Sequence, residues 1–444
     1  MGLAHLRVLA CGLAATAAGC TAPASETSPH DDDIFFPTGA ALSPDERYLF
    51  VANANSDLRW DSGTIAVLDL DRIDQIADAW VATGALSGCE QDLDRSETLN
   101  CDEPSFMLTD ATVRIGNFAT DIAVQDKGNG AARLIVPTRG DPSIAWLDWD
   151  GANLACNEAN VQGIVLCDEA HRLSSIHNDS DLPLPDEPFD AFADSAGQYA
   201  IVTHLTTGAV TLIDSPVDKP AVIADVTAGL FAADPLTGQR GATGVAGRPS
   251  ASGSIIYVGS RSEDRVQTLT VGRPLNNTTP YLVPGNYFFL NLVGVNAGGS
   301  SDSRSMAFSQ SGERLYLINR RPPSLQIFDT SIGPTGFPRN MGIGATDICR
   351  QASTLSVLDA GDGERAYVTC FQDGQIYIID PRGLGSVEDI VVVGRGPYSI
   401  AGSVAHKKIY VTNFLEDTVA VIDVSPTSPR HNRVVLRIGK ERPL

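Results

Sequence analysis

The segment that decides the fold is KIYVTN at residues 408–413, followed after a short polar turn by TVAVID at residues 418–423. Both halves are apolar and rich in β-branched residues, which predicts two short strands joined by a turn, with Asp423 closing the second strand. The same pair recurs at residues 48–53 and 64–69, 133–138 and 144–148, 200–204 and 209–214, 255–260 and 266–270, 314–319 and 324–329, and 365–370 and 375–380. Seven copies indicate an architecture built from one repeated unit.

Flanking segments complete each unit. A small-residue stretch such as residues 40–45 or 305–312 precedes a pair, and an apolar stretch such as residues 390–394 follows it. Four antiparallel strands repeated seven times predict an all-β fold, a seven-bladed β-propeller over residues 34–444. We expect the first and seventh blades to close by side-chain packing, with a strand contributed by residues 34–36 to blade seven as the alternative.

The strings YVTN at residues 410–413 and VAVID at residues 419–423, with SPDERYLFVAN at residues 43–53, resemble the YVTN-type (YncE-like) seven-bladed propellers. The resemblance extends in rhythm over about residues 36–439 and is close for blades one, five, six and seven. It implies the fold and says little about function.

The N-terminus reads as a targeting segment. Arg7 precedes a small and apolar run at residues 8–18, which is too short to span a bilayer and predicts a cleaved signal over residues 1–19. Ala-Ala-Gly-Cys at residues 17–20 resembles a bacterial lipobox, with Cys20 as the lipidated first residue and residues 20–33 as a flexible tether. An ordinary signal peptide is the alternative. Thr21 predicts an outer-membrane lipoprotein of the bacterial cell envelope, on its periplasmic or surface face.

The charge excludes one class of partner. The formal net charge is −22, and no basic cluster interrupts it, so nucleic acid is not an expected partner. The sequence shows no second credible membrane span, so membrane contact is expected through the lipid anchor alone.

Cysteine usage agrees with export. Of the eight cysteines, one lies in the signal and one is the predicted anchor. The other six form local pairs, and an oxidising compartment favours disulfides. These predicted pairs are Cys89 with Cys101, Cys156 with Cys167, and Cys349 with Cys370.

Two insertions, at about residues 71–112 and 150–186, each enclose one of these pairs and interrupt the early blades after their third strands. Long ordered loops on a rigid scaffold often bind partners. The alternative is that these loops cover the outer edges of the sheets.

The first insertion contains a spacing typical of an EF-hand calcium loop, with oxygen-bearing residues at offsets 1, 3, 5, 7, 9 and 12. These residues are Asp92, Asp94, Ser96, Thr98, Asn100 and Glu103. Glu97 occupies the offset that requires glycine, and a disulfide interrupts the loop. Calcium is therefore a minor alternative, and no other cofactor is predicted.

A second candidate site follows from propeller topology, because the inter-blade loops and the turns between second and third strands emerge on one face. Arginines recur there on an otherwise acidic protein, and guanidinium groups suit carboxylates and phosphates. The candidate ligand-binding residues are Arg139, His204, Arg261, Arg304, Arg320, Arg350, Arg395 and Tyr398, beside Asp121 and Asp190. The alternative is that these arginines pair with neighbouring acids on a solvated rim.

Catalytic motifs are absent from the sequence: it contains no G-x-S-x-G, G-x-G-x-x-G, P-loop or H-E-x-x-H, so no catalytic residue is assigned. We therefore predict a non-enzymatic, lipid-anchored binding or scaffold protein whose partner is an envelope protein, a peptide or an anionic small molecule. The alternative is a periplasmic lactonase-like hydrolase that uses the arginine-lined face.

Overall fold

A computed structural model describes residues 27–157, 165–176, 180–248, 255–274, 279–290, 301–383 and 385–441. The predicted signal, Cys20 and the first part of the predicted tether lie outside these residues. The described residues form seven sheets around a central axis. Each sheet contains four antiparallel strands that are arranged in the order of the sequence, and some sheets carry additional short strands. The predicted seven-bladed β-propeller is confirmed.

The strand bounds follow the repeat read from the sequence. Blades one to three consist of Pro37–Leu42, Tyr48–Asn53, Gly63–Asp69 and Val113–Ile115; Ala123–Gly128, Ala131–Thr138, Ser143–Trp149, Leu154–Ala155 and Arg172–Ser174; and Pro188–Ala193, Tyr199–His204, Val210–Asp214 and Val222–Thr227. Blades four to seven consist of Ala242–Arg248, Ile255–Ser260, Arg265–Gly272 and Tyr281–Phe289; Ser303–Phe308, Arg314–Arg320, Pro323–Asp329 and Met341–Asp347; Ala352–Asp359, Glu364–Cys370, Gln375–Asp380 and Ser386–Val392; and Pro397–Ser403, Lys408–Asn413, Thr418–Asp423 and Arg433–Ile438.

The repeated polar residues at strand ends have structural roles. Asn413 closes the second strand of blade seven, and its amide Nδ2 donates to Thr418 Oγ1 at 3.0 Å across the turn. Asn53 makes the matching bond to Thr64 Oγ1 at 2.8 Å in blade one. The Asp residues that close third strands accept backbone N–H groups further along the chain, as Asp423 does from Ser425 at 2.9 Å. Such Asx contacts turn the chain towards the fourth strand.

Seven apolar clusters hold the blades together, and each cluster contains residues of two neighbouring blades. The cluster between the last and first blades joins Tyr410 and Leu436 to Leu49 and Leu68. Residues 34–36 form no strand in blade seven. Face-to-face packing of side chains closes the ring, and strand pairing between the first insertion and blade seven, which was not predicted, adds to it.

The two insertions cover sheet edges. The first contains the α-helix Leu70–Thr83 and the strands Glu90–Gln91 and Leu99–Cys101. Leu99–Cys101 pairs in parallel with the outer strand of blade seven, placing Leu99 opposite Leu436. The second insertion repeats this arrangement, because its Val165–Leu166 pairs in parallel with the outer strand of blade one. Each insertion thus extends the preceding blade and protects its exposed edge.

Three short 3₁₀ helices also lie in these insertions: Glu103–Ser105, Thr109–Ala111 and Glu169–His171. The three predicted disulfides are present, with Cα–Cα distances of 4.5, 4.8 and 5.7 Å in sequence order. Two of them close the insertions at the point where the edge strands begin or end. Within the described ranges, no helix has the length and apolar character needed to cross a bilayer.

The helix Leu70–Thr83 was not predicted from the sequence. Asp69, which closes the third strand of blade one, caps the helix by accepting the backbone N–H of Arg72 at 3.0 Å. Its apolar face, including Ile73 and Trp80, packs into the cluster between blades seven and one. The helix therefore fastens the two ends of the ring.

An ionic contact between this helix and blade seven gives a pH-dependent prediction. His406 donates from Nδ1 to Asp74 at 2.6 Å and from Nε2 to the carbonyl oxygen of Glu46 at 2.6 Å, which requires the protonated ring. The hydrogen bond to Asp74 is the main cause that raises the pKa of His406. The contact is therefore complete below the unfolded-state pKa near 6.5 and is lost as pH rises through the higher folded-state pKa.

We expect His406→Gln to destabilise the protein by on the order of 1 kcal/mol more at pH 6 than at pH 9. The measurement is the free energy of unfolding in denaturant for both proteins at each pH. A difference between the two proteins that does not change with pH would contradict the proposed charge on His406.

Candidate functional site

A cavity of about 240 Å³ opens at the centre of the face that carries the inter-blade loops. Its walls come from five blades: blade two, blade three, blade five, blade six and blade seven. The lining residues are Thr120, Asp121, Arg139, Phe189, Asp190, Leu205, Arg304, Ser305, Arg320, Ser353, Thr354 and Tyr398.

Irregular pairing at the start of the inner strands aims these side chains at the channel. The register with the second strand shifts between Pro188 and Ala191, and the same shift recurs near the start of the inner strand in five other blades. A bulge re-aims side chains that a regular strand would direct across the sheet. The first residues of the inner strands in blades three, five and seven, which are Asp190, Arg304 and Tyr398, therefore line the cavity.

Two carboxyl groups form the acidic part of the cavity. Asp121 and Asp190 hydrogen-bond each other. Backbone amides hold both, since Asp121 accepts from Ala191 N at 3.0 Å and Asp190 accepts from Val245 N at 2.8 Å. Burial and then the charge of Asp121 raise the pKa of Asp190 well above its ordinary value. Because the two carboxyl groups are adjacent and half-buried, the charge of one opposes ionisation of the other.

Two arginines face this pair. Arg304 forms an ion pair with Asp302 at 3.0 Å and lies over the ring of Phe189 at 5.8 Å. Arg320 donates from Nε to the carbonyl oxygen of Ala352 at 2.5 Å. Burial, and next the charge of Arg304, lower the pKa of Arg320 to about 10. No carboxylate lies within ion-pair distance of Arg320 in the described part of the chain, so its charge is available to an anion.

The remaining wall combines one more arginine with aromatic rings. Arg139 is paired with Glu187 at 2.6 Å. Tyr398 lies at the cavity edge with its ring centre 6.0 Å from that of Phe414 and 6.3 Å from that of Phe371. Burial raises the pKa of Tyr398, which therefore presents a neutral hydroxyl at neutral pH.

The other predicted face residues lie outside this cavity. Arg261 is near it, since burial and then Arg304 lower its pKa. Arg395 lines a separate cavity and pairs with Glu416 at 3.5 Å. Arg350 is exposed. Three of the predicted arginines, Arg139, Arg304 and Arg395, therefore pair with neighbouring acids, as the alternative in the sequence predicted.

His204 does not reach the cavity, contrary to its placement among the ligand-binding residues. It is fully buried, with Nδ1 near the carbonyl oxygen of Asp186 at 3.1 Å and Nε2 at 2.8 Å from Thr211 Oγ1. Burial lowers the pKa of His204 to about 4. The neutral ring is a structural residue at the end of its strand.

The residues of the calcium hypothesis lie in the first insertion and do not converge. Asp92 accepts the backbone N–H groups of Asp94 and Arg95 at 2.9 Å and forms an ion pair with Arg437 at 3.4 Å. Glu103 accepts from Lys440 N at 3.2 Å. Among the residues that the structure covers, no three His, Cys, Asp or Glu side chains group as a metal site. Ser96 is exposed. Calcium binding stays an untested prediction.

Asp121 and Asp190 were expected beside the arginines, but their pairing was not predicted. A signal for this existed: each lies two residues after the residue that pairs with the last residue of the second strand, which is Ala119 opposite Thr138 and Pro188 opposite His204. Their contact depends on two successive blades presenting that position to the same point, which requires the ring geometry.

No family model and no curated protein matches this chain. Solved structures that resemble it include a periplasmic gluconolactonase of Pseudomonas aeruginosa, at 16% identity and TM-score 0.53 over 74% of this chain and 88% of the other. A Bacteroides fragilis protein provisionally described as a 6-phosphogluconolactonase matches at 12% identity and TM-score 0.55 over 85% and 94%. Hydrazine synthase of Kuenenia stuttgartiensis matches at 13% and 0.52 over 90% and 98%.

At these identities the likeness shows the fold alone. Two of these neighbours carry lactonase descriptions, which speaks against the prediction of a non-enzymatic scaffold. The prediction of a non-enzymatic scaffold is corrected accordingly.

Proposed function

We propose that this protein is a hydrolase of lactones of the sugar-acid type. One observation carries the proposal: two adjacent carboxyl groups, of which Asp190 has the more strongly raised pKa, line a small central cavity together with Arg304 and Arg320. A lactone hydrolase needs a base for water, an acid for the leaving oxygen and cations for the developing oxyanion. The cavity supplies all three.

The carboxyl pair would perform the proton transfers. Ionised Asp121 takes a proton from water as the water oxygen attacks the lactone carbonyl carbon. Neutral Asp190, whose pKa is the more strongly raised of the two, gives its proton to the ring oxygen as the carbon–oxygen bond breaks. A proton shift across their shared hydrogen bond then restores the starting state. The product is a hydroxy acid that loses its carboxyl proton to solvent.

The arginines would stabilise charge. Arg320 lines the cavity and has no carboxylate partner among the described residues, so it suits the tetrahedral oxyanion and then the product carboxylate. Arg304 is held by Asp302 and adds a second positive charge to the same wall. Tyr398 and Thr354 offer hydroxyl groups to a polyhydroxylated ring.

The direct test is hydrolysis of glucono-1,5-lactone by the purified mature chain, followed as proton release in weak buffer and corrected for spontaneous hydrolysis. We expect acceleration that saturates with substrate, and a lower kcat/KM for δ-valerolactone, which lacks the hydroxyl groups. A rate equal to the spontaneous rate for both lactones would refute the proposal.

Product binding gives a second prediction. The double variant Arg304→Ala, Arg320→Ala is expected to bind gluconate at least about tenfold more weakly than the parent, because hydrogen bonds to charged groups contribute about 1.5–3 kcal/mol each. Isothermal titration measures the affinity. Arg382→Ala is the matched control, since Arg382 is exposed and pairs with Asp380. Equal gluconate affinity in the double variant and the parent would exclude these arginines from the site.

The same proposal includes a place for the protein. A signal over residues 1–19, lipidation at Cys20 and membership of the YVTN-type propellers are supported by the sequence strings quoted above, and the three disulfides suit an oxidising compartment. We therefore place the enzyme in the bacterial envelope, tethered by lipid, where its substrate would be an extracytoplasmic lactone.

A further inference from the structure

A second and larger cavity, of about 690 Å³, opens on the same face between blades six and seven. It is separated from the first cavity by the aromatic contact between Phe371 and Tyr398. The proposed hydrolase activity assigns no role to it.

One part of this cavity is apolar. Leu415 and Val392 line it with 42% and 47% of their surfaces exposed. The half-buried ring of Phe371 lies beside them, supported by Phe414 at 6.1 Å. Apolar side chains that remain exposed inside a concave site gain most from a ligand that removes them from water.

The other part of the cavity is charged, and Arg95 differs from the other charged residues there because it has no ion-pair partner in the described chain. Arg395 and Glu416 neutralise each other there at 3.5 Å. Arg95 makes no ion pair within the described chain, and its Nη1 is buried without a hydrogen-bond partner. Burial, and next the charge of Arg437, lower the pKa of Arg95. An unsatisfied buried donor of a charged group is costly, and an anion would relieve that cost.

Arg95 reaches this place because of the first insertion. The chain that carries it leaves blade one, and parallel pairing of Leu99–Cys101 holds it against the outer strand of blade seven. Trp80 also fixes the position of this loop, because its indole N–H donates to the carbonyl oxygen of Glu97 at 2.9 Å. The Cys89–Cys101 disulfide closes the base of this loop. The insertion from blade one thus places the Arg95 guanidinium in a cavity formed by blades six and seven.

We propose that this cavity binds an amphipathic monocarboxylate, with the carboxylate on Arg95 and an acyl or aryl group against Phe371, Val392 and Leu415. A single negative charge fits best, because Glu416 and Asp373 also line the cavity and repel a more highly charged anion. This site does not depend on lactone hydrolysis.

Isothermal titration with octanoate, octanol and hexanoate tests the proposal on the mature chain. We expect octanoate to bind at least about tenfold more tightly than octanol, since a charge-assisted bond contributes about 1.5–3 kcal/mol. Hexanoate, which is two methylenes shorter, is expected to bind about fifteenfold more weakly than octanoate, since each buried methylene contributes about fourfold. Equal binding of octanoate and octanol, or no binding of either, would overturn the proposal.

Two variants separate the parts of the site. Arg95→Gln is expected to abolish the preference for octanoate over octanol while leaving octanol affinity unchanged, whereas the exposed control Arg382→Gln retains the preference. Leu415→Ser is expected to weaken both probes alike. Retention of the octanoate preference in Arg95→Gln overturns the role of Arg95. Weaker octanoate binding in Asp121→Asn would place the probe in the first cavity and overturn the proposal as well.

Discussion

Asp121→Asn is expected to lower kcat for lactone hydrolysis by about 10²–10⁴-fold, the range for loss of a general base, while KM changes little. The amide keeps the hydrogen bond from Ala191 but cannot accept a proton from water. The arginines that hold the substrate remain in place. Steady-state kinetics with spontaneous hydrolysis subtracted gives both constants.

Asp190→Asn provides the complementary measurement. Burial and the neighbouring charge of Asp121 raise the pKa of Asp190, so the wild-type rate should fall at high pH as this acid loses its proton. In the variant, kcat is lower and this high-pH decline disappears. Asp234→Asn, in an exposed loop, is the control and should keep wild-type kinetics. Full activity of Asp121→Asn would remove the carboxyl pair from the mechanism.

Trp80→Ala is expected to destabilise the protein by about 3–5 kcal/mol, the usual cost of removing a large buried aromatic side chain. Trp80 is 5% exposed and belongs to the apolar cluster shared by blades seven and one. It also lies under the guanidinium of Arg430 at 4.4 Å. Its loss therefore leaves a void where the helix of the first insertion joins the ends of the ring.

Denaturant unfolding of the mature protein measures this change. Thr83→Ala is a matched control on the same helix, because Thr83 is exposed and bonds only the carbonyl oxygen of Ala79; its effect should stay within about 0.5 kcal/mol. A cost below about 1 kcal/mol for Trp80→Ala would mean that the insertion is not part of the closing core. Because Trp80 also holds the loop that carries Arg95, the variant should bind octanoate more weakly.

Some of the residues of the central cavity can be predicted from their positions in the repeat. The strand ends of the repeat placed Arg139, Arg304 and Arg320 on one face, and the structure brings all three to one cavity. The same reasoning included His204, which is buried, because a strand end alone does not tell whether a side chain points to the channel or into the blade. In the structure the His204 ring lies inside the blade, where it contacts Thr211 of the neighbouring strand.

What the sequence alone determined is the repeat: alternating apolar residues, strand-closing Asp and Asn residues, and paired cysteines act within one blade, over short chain distances. The tertiary structure alone decided what comes together between blades. The Asp121 and Asp190 carboxyl groups meet because two successive blades present the same position to one axis, and Arg95 reaches blades six and seven because an edge strand finds a free sheet edge. The first contact depends on the packing of neighbouring blades, and the second depends on closure of the ring, which is a property of all seven blades that no single segment encodes.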